Sequence, residues 1–524
     1  MRKIILLTVL LFIAAISVTG FYFSKIKLPG QSTFSLINQI PADAAFILEF
    51  KNDLEFYTLF KDNPLLTSFI GQKKASELQY LREHLLKGFF ADEHDIFVSL
   101  HPQKNHQNID ILLTISNDKT SDLHEYLKTI LLKTDINLVE EKMGNTTIYN
   151  LSFPALKEVF YISSKANAIA GSFNKQLLIS FLQEKEVRQK NIFTPISDQQ
   201  NKNSIANLYV NYQQFPALFI HLFRNQNNNF FRVLNDFSAN AVLSLNYKSD
   251  ALLFNGYTQI NAGTHSYLQL FLKQQPVINT LKSVYPQNTA SAIGFAFEKQ
   301  SFFKSLDNWG KPEFKQANIL FKQIKQETGI SIQSAFRKQI SNEFAVITTS
   351  ESEKLAIIKL KNGSELEPFL QNISTNPDRL QSKIKYENLF FELLGEPFID
   401  FKQPYFTVMD NYLFLANTET SLNNYLIQYH RQQFLDKDKQ YLNFEGLLAE
   451  QSNVSFFVHF PNDERLLKNA LRPEFINSFQ QNENNWGNYY AMALQFTGSS
   501  NSFYTNFYLQ QKQREISAVA NTTK

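Results

Sequence analysis

The sequence predicts an α+β protein in which an N-terminal transmembrane helix is followed by two tandem pseudo-repeated domains of antiparallel or mixed sheet with helices. Two observations lead to this prediction. Residues 4–23 form an apolar segment without a single charge. The stretch IPADAAFILEFKNDLEFYTLFKDN at 40–63 returns in altered form at 285–308 as YPQNTASAIGFAFEKQSFFKSLDN. A segment repeated over so long a distance indicates internal duplication of the chain.

The apolar N-terminal segment predicts export of the rest of the chain. Twenty helical residues span about 30 Å, the thickness of the hydrocarbon core of a bilayer. Arg2 and Lys3 precede the segment and favour a cytoplasmic N-terminus. A cleaved signal peptide is the alternative, although bulky residues at 21–23 follow its loose cleavage sites. We therefore expect residues 1–31 to form a cytoplasmic tip, an uncleaved anchor and a linker.

The two copies keep a nearly constant spacing along the chain. Pro41 and Pro286 lie 245 residues apart, and an apolar strand follows each of them. Val210 and Val458, on a later pair of strands, lie 248 residues apart. Similar offsets relate the intervening elements in the same order. The sequence therefore predicts repeat 1 at 32–262, a linker with a short helix at 263–284, repeat 2 at 285–510 and a disordered tail at 511–524.

Within each repeat, period-2 strands alternate with amphipathic helices. The predicted order is one strand, two helices, two strands, a helix, two strands, a helix, a strand, a helix and a closing pair of strands. Short polar turns link most of the strands, which favours antiparallel or mixed sheets. We expect the helices to cover one face of each sheet.

Composition excludes several classes of function. The chain has 51 basic and 48 acidic residues and a net charge of only +3, so the basic surface that nucleic acid requires is missing. Cysteine is absent, which excludes disulfides and thiolate metal sites. Only 16 of 524 residues are glycine, and neither phosphate-binding loops nor known catalytic motifs are found. No cofactor is predicted.

The densest polar cluster, FADEHDIFVSLHPQKNHQN, holds the weak candidate site residues Asp92, His94 and His101. Imidazole and carboxylate groups together can bind zinc or transfer a proton. The spacing matches no zinc motif, and a predicted strand at 96–100 separates the two histidines. We therefore interpret the cluster as an acidic loop and a polar turn, and predict neither a catalytic nor a metal site.

Two other histidines invite a functional interpretation. His459 and Asn211 occupy equivalent positions on equivalent strands, where they can line a cleft between the repeats. The simpler interpretation is that both face solvent. His221 lies among apolar residues on a predicted helix, where a semi-buried structural role is expected.

The stretch IPADAAFILEF, after a single apolar N-terminal segment, resembles a family of bacterial envelope proteins catalogued as a domain of unknown function. The resemblance implies an N-terminal membrane segment, an exported α+β region and no assigned activity. It supplies no functional residues. The second copy, YPQNTASAIGFAF, lacks Asp43.

Taken together, these patterns predict a non-enzymatic binding or scaffolding protein of the bacterial inner membrane. A single N-terminal span would leave most of the chain in the periplasm, where envelope proteins or lipids would be its partners. The alternative is a protein that binds a lipid or a small apolar ligand between the repeats, since pockets often lie at domain interfaces. A hydrolase or metal-dependent enzyme that uses Asp92, His94 and His101 is the least favoured hypothesis.

Overall fold

A computed structural model describes residues from 36 to 512, with gaps. The described ranges are 36–51, 95–102, 109–116, 123–131, 136–154, 156–183, 204–224, 229–248, 250–309, 317–375, 381–473 and 486–512, together with positions 77, 80, 81, 83, 85 and 193. The predicted anchor at 4–23 lies outside these residues, as do 513–524 of the predicted tail. Among the described residues, no helix is both long and apolar enough to cross a membrane.

The strands of the described residues share one sheet. They are β1 (Phe46–Lys51), β2 (Asp95–Pro102), β3 (Ile109–Ser116), β4 (Asn137–Met143), β5 (Thr146–Phe153), β6 (Glu158–Lys165), β7 (Ala168–Ser172), β8 (Ala206–Asn211), β9 (Ala239–Lys248), β10 (Ala251–Ile260), β11 (Thr289–Ala296), β12 (Ile340–Thr349), β13 (Lys354–Leu360), β14 (Ser382–Lys383), β15 (Tyr405–Met409), β16 (Tyr412–Ala416), β17 (Val454–His459), β18 (Tyr489–Ser499) and β19 (Ser502–Gln511).

The helices connect these strands. They are α1 (Leu123–Leu131), α2 (Lys175–Gln183), α3 (Phe215–Leu222), α4 (Asn229–Asn235), α5 (Lys299–Asp307), α6 (Ala317–Thr328), α7 (Ile332–Gln339), α8 (Gly363–Asn372), α9 (Leu389–Leu394), α10 (Glu419–His430), α11 (Lys439–Glu445) and α12 (Phe460–Ala470). Short 3₁₀ helices lie at Tyr212–Gln214, Tyr267–Phe271, Leu281–Val284, Glu396–Phe398, Leu435–Lys437 and Trp486–Asn488.

From the middle of the sheet outwards, nine strands on each side follow the same order, and β4 adds a tenth strand at the edge of one side. From one edge to the other it is β4-β5-β6-β7-β3-β2-β1-β8-β9-β10-β19-β18-β17-β11-β12-β13-β16-β15-β14, and every pair is antiparallel. We call β1–β10 the first half and β11–β19 the second half. Strand β10 closes the first half and pairs with β19, which closes the second.

The predicted fold class is therefore wrong in its architecture. Instead of two tandem domains, each with its own antiparallel or mixed sheet, the described residues form one 19-stranded antiparallel sheet. The physical reason lies at the β10–β19 seam, where nine residue pairs align from Ala251 opposite Gln510 to Gln259 opposite Ser502. Two separate sheets would leave these strands as long edges with unpaired backbone groups, and joining them satisfies those groups.

A pseudo-two-fold axis passes through the seam. Asn255 of β10 pairs with Asn506 of β19, and these two residues occupy equivalent positions in the two hairpins that close the halves. Phe223, after α3, forms an isolated bridge with Leu471, its counterpart after α12. Arg472 Nε donates to the carbonyl oxygen of Ile220 at 2.9 Å and so satisfies an acceptor at the carboxyl end of α3. The halves thus contact each other through both strands and helices.

Helices cover both faces of the sheet, so the prediction of one covered face is wrong. The largest core cluster lies on one face and contains side chains from α1, α3–α9 and α12 and from both halves of the sheet. On the opposite face, α2 packs over the first half, and α10 and α11 pack over the second. The larger core crosses the seam, where Phe237 lies 5.5 Å from Phe496 and 6.4 Å from Phe503, measured between ring centroids.

The segment predicted as a linker is part of the core. Its 3₁₀ helix, Tyr267–Phe271, is buried, and the Tyr267 hydroxyl donates to the carbonyl oxygen of Leu394 at 2.5 Å. A Cβ atom on Gly498 would lie 2.6–2.8 Å from the carbonyl oxygens of Phe271, Gln274 and Leu272. The close approach of this backbone to β18 therefore requires glycine, and the segment is fixed between the two halves rather than spanning them loosely.

Candidate functional site

The structure places one of the three predicted candidates, His101, in a hydrogen-bonded relay. Its Nδ1 lies 2.7 Å from Asp43 Oδ1, and its Nε2 lies 2.8 Å from Ser99 Oγ. Asp92 and His94 lie outside the described residues. No pattern in the sequence connected Asp43 with His101. The missing information was the antiparallel register of β1 and β2, which brings the 41–44 turn beside the end of β2.

The order carboxylate, imidazole and hydroxyl is the order found in serine hydrolases. Here, however, Ser99 and His101 are fully buried, and Ser99 Oγ also lies 3.2 Å from the carbonyl oxygen of Leu112. A nucleophile must reach its substrate, and this hydroxyl is enclosed by the sheet and the residues over it. The relay ties the 41–44 turn to β2 and satisfies polar groups that burial would otherwise leave unpaired.

The second pair of candidates is buried rather than exposed to solvent. Asn211 and His459 each end a strand and precede the next helix, and each is less than one-tenth exposed. The Asn211 side chain accepts from the Gln213 amide. Neither ring nitrogen of His459 has a hydrogen-bond partner among the described residues. Its ring lies 4.8 Å from that of Tyr490, and burial lowers the pKa of His459 to about 4.

His221 is also buried, near the carboxyl end of α3. In the part of the chain that the structure describes, no group of three or more histidine or acidic side chains is arranged to hold a metal ion. Among the described candidates, His101 and Asn211 both contact the 41–44 turn, whereas His459 lies in the second half of the sheet.

A different feature crosses the sheet on the face that carries α2, α10 and α11. Residues directly opposite each other on neighbouring strands point to the same face. The pairing register aligns a row of polar or small residues on eight consecutive strands, which we call the polar row: Glu49, Asn207, Ser244, Asn255, Asn506, Gln495, Ser455 and Gly294. The pseudo-two-fold axis passes through its centre.

Hydrogen bonds close the first-half end of the polar row. The Glu49 carboxylate is buried, and it accepts from the Tyr209 hydroxyl at 2.7 Å and from Asn207 Nδ2 at 3.2 Å. Ser244 Oγ in turn donates to Asn207 Oδ1 at 3.0 Å. The protein thus supplies both donors and acceptors here.

The second-half end of the polar row opens into a cavity of about 40 Å³. Its floor is formed by the row residues Gly294, Ser455 and Gln495, and its walls come from the 3₁₀ helix at 281–284 and from α11 and the residues after it. Tyr285 and Tyr441 line the cavity and are more than nine-tenths buried. Their hydroxyls have no hydrogen-bond partner within the described ranges. We take this cavity as the candidate functional site.

The polar row could not be recognised in the sequence because no short motif encodes it. Its members are scattered from position 49 to position 506 and become neighbours only through the pairing of eight strands. The available signal was a polar residue at the same place in corresponding strands of both halves, such as Asn255 and Asn506.

Comparison with known proteins adds no relative: no family model, curated protein or solved structure matches the chain. The resemblance to the envelope family accordingly stays a prediction.

Proposed function

We propose that this chain is a non-enzymatic binding or scaffolding protein of the cell envelope, exported across the inner membrane, with envelope proteins or lipids as its partners. The observation that supports this proposal best is the β10–β19 seam. It joins the two halves into one sheet with a shared core, so that equivalent surfaces are held at a fixed distance and orientation. Such a rigid platform suits binding, because little conformational entropy is lost when a partner is bound.

The burial of the histidine and serine of the relay supports a non-catalytic role. Asp43, His101 and Ser99 form the arrangement closest to a catalytic triad that we found in the described residues, and its hydroxyl is enclosed. In the second half, Asn288, Thr349 and Ile347 take the places of these three residues in that order, and no such relay can form.

The alternative of a lipid or apolar ligand between the repeats receives less support. Aromatic rings fill the seam, where Tyr212 and Phe237 of the first half contact Phe496 of the second. The cavity on the polar row lies within the second half, and its volume of about 40 Å³ is far below that of a typical lipid or small-molecule pocket.

The variant Asp43→Asn tests the non-catalytic proposal, because it introduces the residue that the second half has at this position. The tagged full-length chain and the variant are each expressed in the native cell and cross-linked in the envelope. We expect both proteins to capture the same partner in equal yield, above the yield of an unrelated exported protein. We also expect neither purified protein to hydrolyse a panel of simple esters above background.

Two results would contradict this proposal. One is ester hydrolysis that falls at least tenfold in Asp43→Asn while the urea unfolding curve stays unchanged. The other is failure of the wild-type chain to capture any partner above the level of the exported control protein.

A further inference from the structure

The two ends of the polar row are equivalent positions in the two halves, but they carry different residues. This difference points to a ligand. Glu49 on β1 corresponds to Gly294 on β11, since both pair with matching residues of the next strand, Asn207 and Ser455. In the first half, the Glu49 carboxylate occupies the space above the row and accepts a hydrogen bond from the Tyr209 phenol. In the second half, Gly294 itself contributes no side chain to the equivalent space.

In the second half, the strand residue equivalent to Tyr209 is a phenylalanine. Phenol donors come instead from two other segments of the chain. The Tyr285 hydroxyl lies 3.1 Å from the point that a Cβ atom on Gly294 would occupy, and Tyr441 lines the same cavity. Burial and the nearby Glu343 carboxylate raise the pKa of Tyr285, and burial raises that of Tyr441 well above its ordinary value. Both phenols therefore stay protonated and can donate. Buried donors of this kind require an acceptor.

The charges around the cavity favour an uncharged acceptor. Glu343, buried in the lining, accepts from the Thr280 and Leu281 amides, and Lys359 Nζ lies 3.1 Å from it. Lys282, also in the lining, pairs with Glu445 at 2.6 Å. Each cation already has its anion, so a second buried carboxylate would enter without a counter-charge. Burying an unpaired charge costs far more than burying a neutral polar group.

The volume limits the ligand to a small group. A cavity of about 40 Å³ holds about three water-sized positions. We propose that the cavity above Gly294 binds an uncharged amide group of a partner molecule, whose carbonyl oxygen accepts from the hydroxyls of Tyr285 and Tyr441. The half-buried Asn279, Lys282 and Leu448 in the lining leave the group a way in from solvent. This inference rests on the proposed binding function and names the chemistry of the partner.

The experiment uses acetamide as the amide and the full-length chain labelled with ¹³Cζ-tyrosine. The variants Tyr285→Phe and Tyr441→Phe assign the two resonances, which report on hydrogen bonding at the phenol oxygen. We expect acetamide to shift both resonances saturably and acetate to leave them unchanged at the same concentration. In Gly294→Ala, where the added methyl group meets the Tyr285 hydroxyl, we expect binding to weaken at least tenfold.

Gly446→Ala is the matched control, because an added Cβ atom there meets only ordinary contacts at 3.5 Å, and it should bind acetamide like the wild type. The inference is overturned if acetamide causes no saturable shift in the natively folded wild type. It is also overturned if Gly294→Ala binds equally well or if acetate binds as tightly as acetamide. Failure of this titration beside successful partner cross-linking would remove this site alone, whereas failed cross-linking would remove the proposed function.

Discussion

Replacing Gly256 with alanine is expected to lower the free energy of unfolding by about 3 kcal/mol, the upper range for forcing extra atoms into a packed interior. Gly256 lies on β10, one residue from the pseudo-two-fold axis. A Cβ atom there would lie 2.0 Å from the carbonyl oxygen of Val242 and 3.0 Å from Leu243 Cα. Both obstacles are backbone atoms of β9, so the clash can be relieved only by separating the two strands beside the seam. Urea unfolding followed by far-UV circular dichroism measures the change.

Gly446→Ala again serves as the control for the loss of a glycine. Gly446 follows α11 with a right-handed helical backbone at φ −63°, which alanine adopts without strain. We expect its free energy of unfolding to stay within about 1 kcal/mol of the wild-type value. Equal effects of the two substitutions would show that β9 and β10 do not approach each other as described.

Unfolding stability is expected to fall as the pH rises from about 6.5 to 8, and Asp463→Asn should remove most of this fall. Burial raises the pKa of Asp463 from its ordinary 3.8 to about 8. Between these values the folded chain holds a proton that the unfolded chain has lost, so stability decreases with rising pH. One pKa unit corresponds to about 1.4 kcal/mol, which gives about 2 kcal/mol over this window. Glu392, with a pKa raised to about 7 by burial, adds a smaller change of the same sign.

At acidic pH, His459 changes the unfolding stability in the direction opposite to Asp463. Its pKa is lowered by burial to about 4, against an ordinary 6.5; nearby Asp438 raises it and Lys512 lowers it further. Between these values the unfolded chain binds the extra proton, so stability increases with rising pH and offsets the effect of Asp463. In His459→Asn, which restores the residue of the first half, stability should therefore be higher at pH 4.5 than at pH 6.5. Urea titrations across this range measure both variants, and a wild-type pH profile retained in both would contradict the assignment.

Local patterns in the sequence predicted much of the secondary structure. The hairpin of β15 and β16 and the helix α10 after it follow from an alternating apolar pattern, a polar turn and the Thr418 cap, all within about 25 residues. The pairing of β10 with β19 could not be predicted in this way. It joins residues about 250 positions apart, and alternation along a strand does not reveal which strand will be its neighbour.

The candidate site could not be predicted either, because it too depends on contacts between residues far apart in the sequence. His101 was singled out by residue type, but its contact with Asp43 depends on the strand register and the position of a turn. Tyr285 and Tyr441 look like ordinary core residues in the sequence. Their importance arises from the absence of a side chain at Gly294, which becomes informative only when Glu49 is found at the equivalent place in the first half.

Amide-resolved hydrogen exchange of the wild-type chain tests most directly whether one sheet joins the two halves. In a continuous sheet, β10 and β19 each have a hydrogen-bonded neighbour on both sides. We therefore expect nearly all amides of residues 252–259 and 503–510 to be protected as strongly as those of β9 and β18. Two separate sheets would make β10 and β19 edge strands, and alternate amides in each would then exchange rapidly. That alternating pattern would contradict the single 19-stranded sheet.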